Sequence, residues 1–355
     1  MPIEEFSAQD FRCLRNIEFK PAPGNNLIYG ANASGKTSVL ESLAYLGRGK
    51  SFRGATTSEL IRHGEKEFVL FGRAAGDGRP KSIGVRNSSE GLEVRVNGES
   101  GGGAAALAAV LPLQIIDPDV HDLVAGAPEH RRRYLDWIAF HVEHDYLLAW
   151  RRFRRALKQR NAALKTGAAA ATIHGWNAEF VELSERIDAG RRQALGAAAA
   201  GLEEAAGDLL GADVRFEYRP GWNEERGLLP SLEGGLDRDI QQGSTQHGPH
   251  RADLRLTYDE RQARKLVSRG QQKLLACAMV LAATETAQAA LERPLLLLLD
   301  DPAAELDADS LLRLMGRVHG LGCQVVATSL VPNAGLFADA AAVFHVEHGE
   351  LARAE

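Results

Sequence analysis

Gly30-Ala31-Asn32-Ala33-Ser34-Gly35-Lys36-Thr37 fits G-x-x-x-x-G-K-[ST] in full. It stands between an apolar run, Asn26-Leu27-Ile28-Tyr29, and a helix-like Ser38-Val39-Leu40-Glu41-Ser42-Leu43. Strand, loop and helix in that order are what a phosphate-binding loop requires. Glycines let the backbone curl round a polyphosphate, successive N–H groups point inward, and the helix presents its positive end. Lys36 is expected to neutralise the β- and γ-phosphates and Thr37 to ligate Mg2+, so residues 30–38, ending on Ser38, form the candidate site for a polyphosphate. The alternative is a glycine turn ahead of an ordinary helix; strand, motif and helix together weigh against it.

A second chemical group follows Leu295-Leu296-Leu297-Leu298-Leu299, a strand suited to burial on both faces, which ends in Asp300-Asp301. Acids at the carboxyl end of such a strand sit where open α/β sheets bind ligands. Asp300 is expected to hold Mg2+ through water, and Asp301 to polarise the attacking water, because phosphoryl transfer needs a positioned nucleophile. Between loop and acids lies Val267-Ser268-Arg269-Gly270-Gln271, ahead of an apolar helix. Ser268 can cap that helix and leave its N–H groups for an anion. On its own this is only an N-cap.

Loop, serine-capped helix and strand acids together resemble the ABC-type ATPases. Val267-Ser268-Arg269-Gly270-Gln271 is close to the family's Leu-Ser-Gly-Gly-Gln signature, with Val267 and Arg269 as departures. Asp307, in Glu305-Leu306-Asp307, resembles the D-loop, and Gln114 the Q-loop glutamine that reaches the metal and γ-phosphate. The resemblance implies catalytic roles for Lys36, Gln114, Asp300 and Asp301, and Mg2+ ligation by Thr37, Asp300 and Gln114. It also implies a dimer in which each signature closes on the other subunit's ATP. One departure is Ala327-Thr328-Ser329 where transporters carry a histidine, which implies slow hydrolysis.

Six further stretches resemble the RecF family: residues 46–53, 60–64, 131–137, 157–164, 248–254 and the pair Asp300-Asp301. Matches run from about residue 11 to the C-terminus; 75–105 and 165–240 are the least distinctive. The resemblance implies an SMC-like and Rad50-like head with a short helical arm, ATP-gated DNA binding in recombinational repair, RecR and RecO as partners, and promotion of RecA loading. The ATPase would be weak and DNA-stimulated. A transporter's nucleotide-binding subunit is the alternative; the long insertion between Gln114 and Ser268 and the missing histidine stand against it. A nuclease-coupled ATPase lacks a nuclease motif here.

Nucleic acid needs a basic surface. The best run is Arg151, Arg152, Arg154, Arg155, Lys158, Arg160 and Lys165, with Arg151, Arg155 and Lys158 on one helical face. Such a ridge can follow a phosphate backbone without reading sequence; a solvated helix face is the other reading. Arg53 resembles the arginine that SMC-like heads place beside DNA, and a salt bridge is its alternative. Residues 131–133 can instead serve a partner subunit. His250 and Arg251 read as a structural turn near the nucleotide or the dimer seam. His141 and His144 lack partners at metal-ligand spacing.

The elements that must position these groups read as α/β. Strand-like runs at 11–19, 67–73, 81–87 and 92–96, divided by turns such as Gly76-Asp77-Gly78, predict an antiparallel β-layer. Residues 101–109 form a linker or short helix. Helical texture from 128 to 211, with Trp150, Phe153, Leu157 and Leu164 on one face and Phe180, Leu183 and Ile187 on another, predicts an inserted arm. Strands follow at 213–218 and 252–258. A helix at 269–290, strand 295–300, helix 308–319 and strands 323–328 and 341–346 give the rhythm of a parallel sheet. The expected fold is an ABC-type, Rad50/SMC-head-like P-loop ATPase domain (1–120 plus 235–355) with an inserted helical arm (121–234).

Composition agrees with that plan. The 355 residues allow about two domains, and 25% charged with 45% hydrophobic residues are globular values. A net charge of −5 means that any DNA surface must be local. Cys13, Cys277 and Cys323 are scattered and form no zinc or disulfide pattern. The acidic N-terminus lacks a signal-peptide core, and the run 295–299 is far short of the ~20 residues of a membrane helix. A reduced, cytoplasmic, soluble protein is expected.

Overall fold

The computed structural model describes residues 3–75, 79–258, 261–263, 267–332 and 340–354. The expected turn at Gly76-Asp77-Gly78 and the N-terminal Met1-Pro2 lie outside the described residues. The chain divides into two compact units, residues 1–120 with 292–355 and residues 121–291.

The first unit opens with a hairpin, β1 (Ile3–Phe11) and β2 (Leu14–Phe19), with Phe11 opposite Leu14. This corrects the single strand expected over 11–19. Arg12, at φ 52°, turns the chain there. Phe6, Ala8 and Phe11 before the turn and Leu14, Ile17 and Phe19 after it are all buried, and apolar alternation alone does not mark the reversal between them. β3 (Asn25–Tyr29) leads into the phosphate loop and α1 (Lys36–Arg48) leaves it. α2 (Thr57–Leu60) starts at a capping box of Thr56 and Glu59. β4 (Glu67–Ala74), β5 (Lys81–Ser88) and β6 (Gly91–Val96) are the expected strands, and β7 (Glu99–Ser100) adds an edge. They form an antiparallel sheet in the order β2-β1-β4-β5-β6-β7. Phe11, Phe68 and Tyr45 of α1 meet edge to face with centroids 5.0–6.2 Å apart. Each such pair adds about 0.5–1.5 kcal/mol beyond area burial. Residues 101–109 resolve as a helix, α3 (Gly103–Val110), before β8 (Leu113–Ile116).

The second unit holds α4 (Asp122–Ala125), α5 (Pro128–Val142), α6 (Tyr146–Lys165), α7 (Ala170–Gly175) and the 34-residue α8 (Asn177–Leu210). β9 (Val214–Arg219), α9 (Leu228–Gly234), α10 (Leu236–Gln242), β10 (Asp253–Tyr258), β11 (Arg261–Gln262) and α12 (Arg269–Leu291) follow. β10 pairs antiparallel with both β9 and β11. The helical unit therefore extends to Leu291, beyond the boundary expected at 234, and includes the signature helix α12. The reason is in the alanines of α8. Ala194, Ala198, Ala205 and Ala206 are buried with Leu202 and Leu209, and a Cβ on Gly201 would stand 3.6 Å from Ala282 Cβ of α12. Small residues let the two backbones approach closely. α12 alone among the described helices is long and apolar enough to cross a membrane, and 67% of its most apolar window is buried inside the protein.

The chain returns to the first unit with β12 (Leu296–Leu299), α13 (Ala308–Gly320), β13 (Gln324–Ser329), β14 (Ala342–Glu347) and an unanticipated β15 (Glu350–Arg353). The second sheet runs β15-β14-β3-β13-β12-β8, parallel except for the β14–β15 pair. All four β12 leucines are buried, as a strand between two parallel neighbours requires. One apolar core joins both sheets to α1. The sheet order brings the carboxyl ends of β3, β13, β12 and β8 into one row, where the site lies.

Candidate active site

The phosphate loop bridges β3 and α1 through two left-handed residues, Ala33 at φ 62° and Gly35 at φ 115°. Its curl is closed by Ser34 N–H donating to Ala31 O at 3.2 Å, and braced from outside by Gly349 N–H donating to Ser34 O at 2.9 Å. Lys36 Nζ donates to Gly30 O at 2.7 Å and Ala31 O at 2.8 Å, so the ammonium lies across the loop mouth. Burial lowers its pKa, opposed by the charges of Asp301 and Asp300. Gly30 has no room for a side chain, because a Cβ there would meet Val346 O at 2.3 Å and Ser34 Oγ at 2.8 Å. Gly30→Ala is therefore expected to displace the loop and to weaken ATP binding at least tenfold in titration calorimetry, with a lowered melting midpoint.

The acids stand at the end of β12. Asp300 Oδ1 accepts from Thr37 Oγ1 at 3.1 Å and from Thr328 Oγ1 at 2.8 Å. Thr328 Oγ1 in turn accepts from the Asp301 N–H at 2.9 Å. Asp301 sits at φ 47°, a backbone state that Asp tolerates better than most residues. Burial raises the pKa of Asp300, while the Thr328 and Thr37 hydroxyls and the charge of Arg53 lower it. Thr328 is thus a site residue with no role in the sequence reading, where it marked only an absent histidine. Its strand, β13, runs between the strands of loop and acids, and that topology was its available signal.

Arg53 is exposed, and its charge acts on Asp300. Its loop is pinned by Ser51, whose Oγ accepts from Arg53 N at 3.0 Å and Ala55 N at 3.2 Å and donates to Glu41 Oε1 at 2.5 Å. Glu41, fully buried on α1, is neutralised by the Arg12 guanidinium. Gln114 differs from expectation. It lies within β8 opposite Leu297, and its Oε1 accepts from Arg48 Nη2 at 3.1 Å. The residue at the strand end beside Asp300 is Asp117, pushed up to about 6 by burial and by the negative charges of Asp119 and Asp300.

In the second unit the signature serine is a helix cap. Ser268 N–H donates to Gln271 Oε1 at 2.9 Å, and Gln271 N–H to Ser268 Oγ at 3.3 Å, a reciprocal box at the start of α12. Ser268 and Arg269 are exposed. In the first unit Asp307 caps α13, accepting from Ser310 N at 2.9 Å and Ser310 Oγ at 2.8 Å.

Along α6, Arg151, Arg155 and Lys158 are exposed, whereas Arg152 pairs with Glu179 at 3.5 Å and Arg154 lies over the Trp150 ring. Arg160 leaves the expected basic run altogether. It is fully buried, with Nη1 2.7 Å from both Asp239 Oδ2 and Thr245 Oγ1. The buried stripe of α6 is accordingly Tyr146, Ala149, Phe153, Ala156, Arg160 and Leu164. Arg131 and Arg132 are also structural. Arg131 binds Asp253 at 2.7 Å and Arg132 donates to Ala252 O at 2.8 Å; only Arg133 is exposed, paired with Glu129. His250 packs against Phe153 and Phe180 inside the second unit, its Nε2 2.8 Å from Thr245 O. No cluster of metal-ligating side chains involving His141 or His144 occurs among the described residues.

A family profile described as RecF/RecN/SMC N terminal domain matches residues 2–352. The DNA replication and repair protein RecF of Chromohalobacter salexigens is 42% identical over 359 residues, covering 99% of each chain. That of Pseudomonas aeruginosa is 38% identical over 361 residues, covering 99% of this chain and 98% of its own. Among solved structures, the recombination mediator protein RecF-ATPrS in the RecFOR pathway matches with a TM-score of 0.89 at 24% identity, over 100% of this chain and 98% of that one. A Smc head bound to the C-winged helix domain of ScpA matches at 0.63 and 16% identity, over 100% and 97%. The fold is the SMC/ABC-type ATPase fold, α/β with an antiparallel sheet, and the full-length relatives disfavour the transporter reading.

Proposed function

The chain belongs to the RecF family, and from that premise we propose an ATP-gated, DNA-binding dimer that acts in recombinational repair. The observation that carries this reading is the row of groups at the strand ends: Lys36 across the loop, and Asp300 held between the hydroxyls of Thr37 and Thr328. Such a row can grip a triphosphate and orient a water for in-line attack. Lys36 and the α1 N-terminus take the phosphate charge, and Asp301 accepts the proton of the attacking water. The donors fit Mg2+, since a hydroxyl and several carboxylates are the hard oxygen ligands it prefers. Thr37 and Asp300 would hold it, and bound there it supplies positive charge beside the phosphates.

The box of Ser268 and Gln271 leaves an exposed helix start for a phosphate of the partner's ATP, with Gly270 permitting close approach. Asp307 would serve as the D-loop residue. ATP then favours the closed dimer through contacts that hydrolysis removes, so slow turnover acts as a switch. DNA-stimulated turnover, a cytoplasmic site, and RecR and RecO as partners in loading RecA complete the proposal. Likeness to the ATPrS-bound recombination mediator of the RecFOR pathway supports the partner choice. Sedimentation with and without ATP, repeated with gapped duplex, tests the whole. A species that stays monomeric at saturating ATP and DNA removes the reading.

Arg151, Arg155 and Lys158, exposed on one face of α6, are proposed to follow the DNA backbone, with Arg53 a second contact. Replacing the three by Glu is expected to weaken duplex binding at least tenfold and to flatten its salt dependence by about three counterions. ATP affinity should stay unchanged. An identical salt titration would discard the ridge.

A further inference from the structure

The geometry points to Asp117, not Gln114, as the residue through which β8 reaches the nucleotide, where it holds water on the metal side of the phosphates. This rests on the nucleotide-site reading above. Three observations carry it. First, β8 runs parallel to β12 with Ile116 opposite Leu299, and Asp300 N–H donates to Ile116 O at 2.8 Å. Asp117 is therefore the next residue on the neighbouring strand, level with the catalytic acids, at the end of the sheet where open α/β folds bind ligands.

Second, the chain turns there in a fixed way. Val120 N–H donates to Asp117 O at 3.1 Å, and Pro118 opens a 3-10 turn, Pro118–His121. The Asp119 N–H donates to the Asp117 carboxylate. The side chain is thus oriented by its own turn and remains partly exposed. Third, Gln114 is committed elsewhere. Its amide oxygen and the Leu113 carbonyl at 3.3 Å both receive the buried Arg48 guanidinium at the end of α1. Gly47 of α1 lies so close to β8 that a Cβ would stand 2.4 Å from Leu113 Cδ2. Gln114 is a strut between α1 and β8, three residues short of the acids.

The exchange has a chemical consequence. A glutamine offers the metal a neutral amide, whereas Asp117 adds a third carboxylate beside Asp300 and Asp301. Mutual repulsion among three acids makes the cradle hostile to a bare triphosphate and raises the gain in affinity that a divalent cation brings. Asp117 is a positioning residue, acting through the water it holds.

The test measures ATP and ADP affinity in Mg2+, in Mn2+ and in EDTA for the full chain, Asp117→Asn and Gln114→Leu, with melting midpoints as a check of folding. Asp117→Asn is expected to bind ATP in EDTA as well as wild type or better, and to lose about tenfold of the cation-dependent gain, the scale of a lost outer partner of a metal site. Gln114→Leu is expected to keep the full gain while melting earlier. Asp117→Asn with an undiminished gain, or Gln114→Leu with a lost one, overturns the assignment. Wild type with no cation-dependent ATP binding overturns the nucleotide site itself, which separates the two failures.

Discussion

Lys36→Met is expected to leave a folded protein that no longer holds ATP. The ammonium bonds Gly30 O and Ala31 O and lies in the field of Asp301 and Asp300. A triphosphate brought to the loop meets those carboxylates, and Lys36 is the side chain from within the loop that offsets them. Removing it deletes a charge-assisted contact and leaves phosphate and carboxylate opposed. Truncating one partner of such a charged pair costs about 2–5 kcal/mol, or roughly 30-fold to several-thousand-fold in affinity. The fold should persist, because the loop is closed by backbone bonds from Ser34 and Gly349. Titration calorimetry reads the affinity, and gel filtration with ATP should show no dimer. A Lys36→Met variant that still dimerises on ATP would falsify the loop assignment.

How far the sequence revealed this site depends on the range of the interaction. The phosphate loop was legible because its requirements are local: glycine at a left-handed position, lysine and threonine at the helix start, an apolar strand before. Asp300-Asp301 was legible because five leucines announce a buried strand and acids announce its end. Thr328 was not, since its contact with Asp300 exists only once β13 lies beside β12. The interior position of Gln114 on β8 was not legible, because which side chain stands at the sheet edge follows only from the Ile116–Leu299 pairing. The hairpin at Arg12 was hidden because the turn interrupts the apolar alternation so briefly. That the second compact unit runs past 234 to Leu291 was not legible, because the partner of α12 is set by alanines whose packing role shows only in the assembled helices. Long-range pairing is what periodicity leaves out.

The same limit applies to Arg160, and there the consequence is largest for stability. It stands in a run of surface arginines, yet its guanidinium is fully buried with Asp239, which is itself fully buried. Around the pair, Nε donates to Asn177 Oδ1 at 3.2 Å, and Asp239 Oδ1 accepts from Gln246 N at 2.9 Å. Thr245 is fixed in turn by Asn161, whose Oδ1 accepts from its N–H at 2.8 Å and its hydroxyl at 2.7 Å. The pair thereby ties α6 and α8 to the segment from α10 through Gln246. Desolvating both ions is costly, so the pair adds little over an apolar substitute, but breaking it by removing one partner costs about 3–5 kcal/mol. Arg160→Met is expected to lower the melting midpoint of the helical unit sharply, followed by circular dichroism without assuming one transition for two units. Arg160→Met with Asp239→Leu should recover much of the loss, because no charge is then left unpaired. Arg155→Ala, five residues earlier on the same helix and exposed, should change stability by no more than about 0.5 kcal/mol. Equal melting of the Arg160 and Arg155 variants would mean that Arg160 belongs to the surface ridge after all, and the face of α6 proposed to follow DNA would then have to be redrawn to include it.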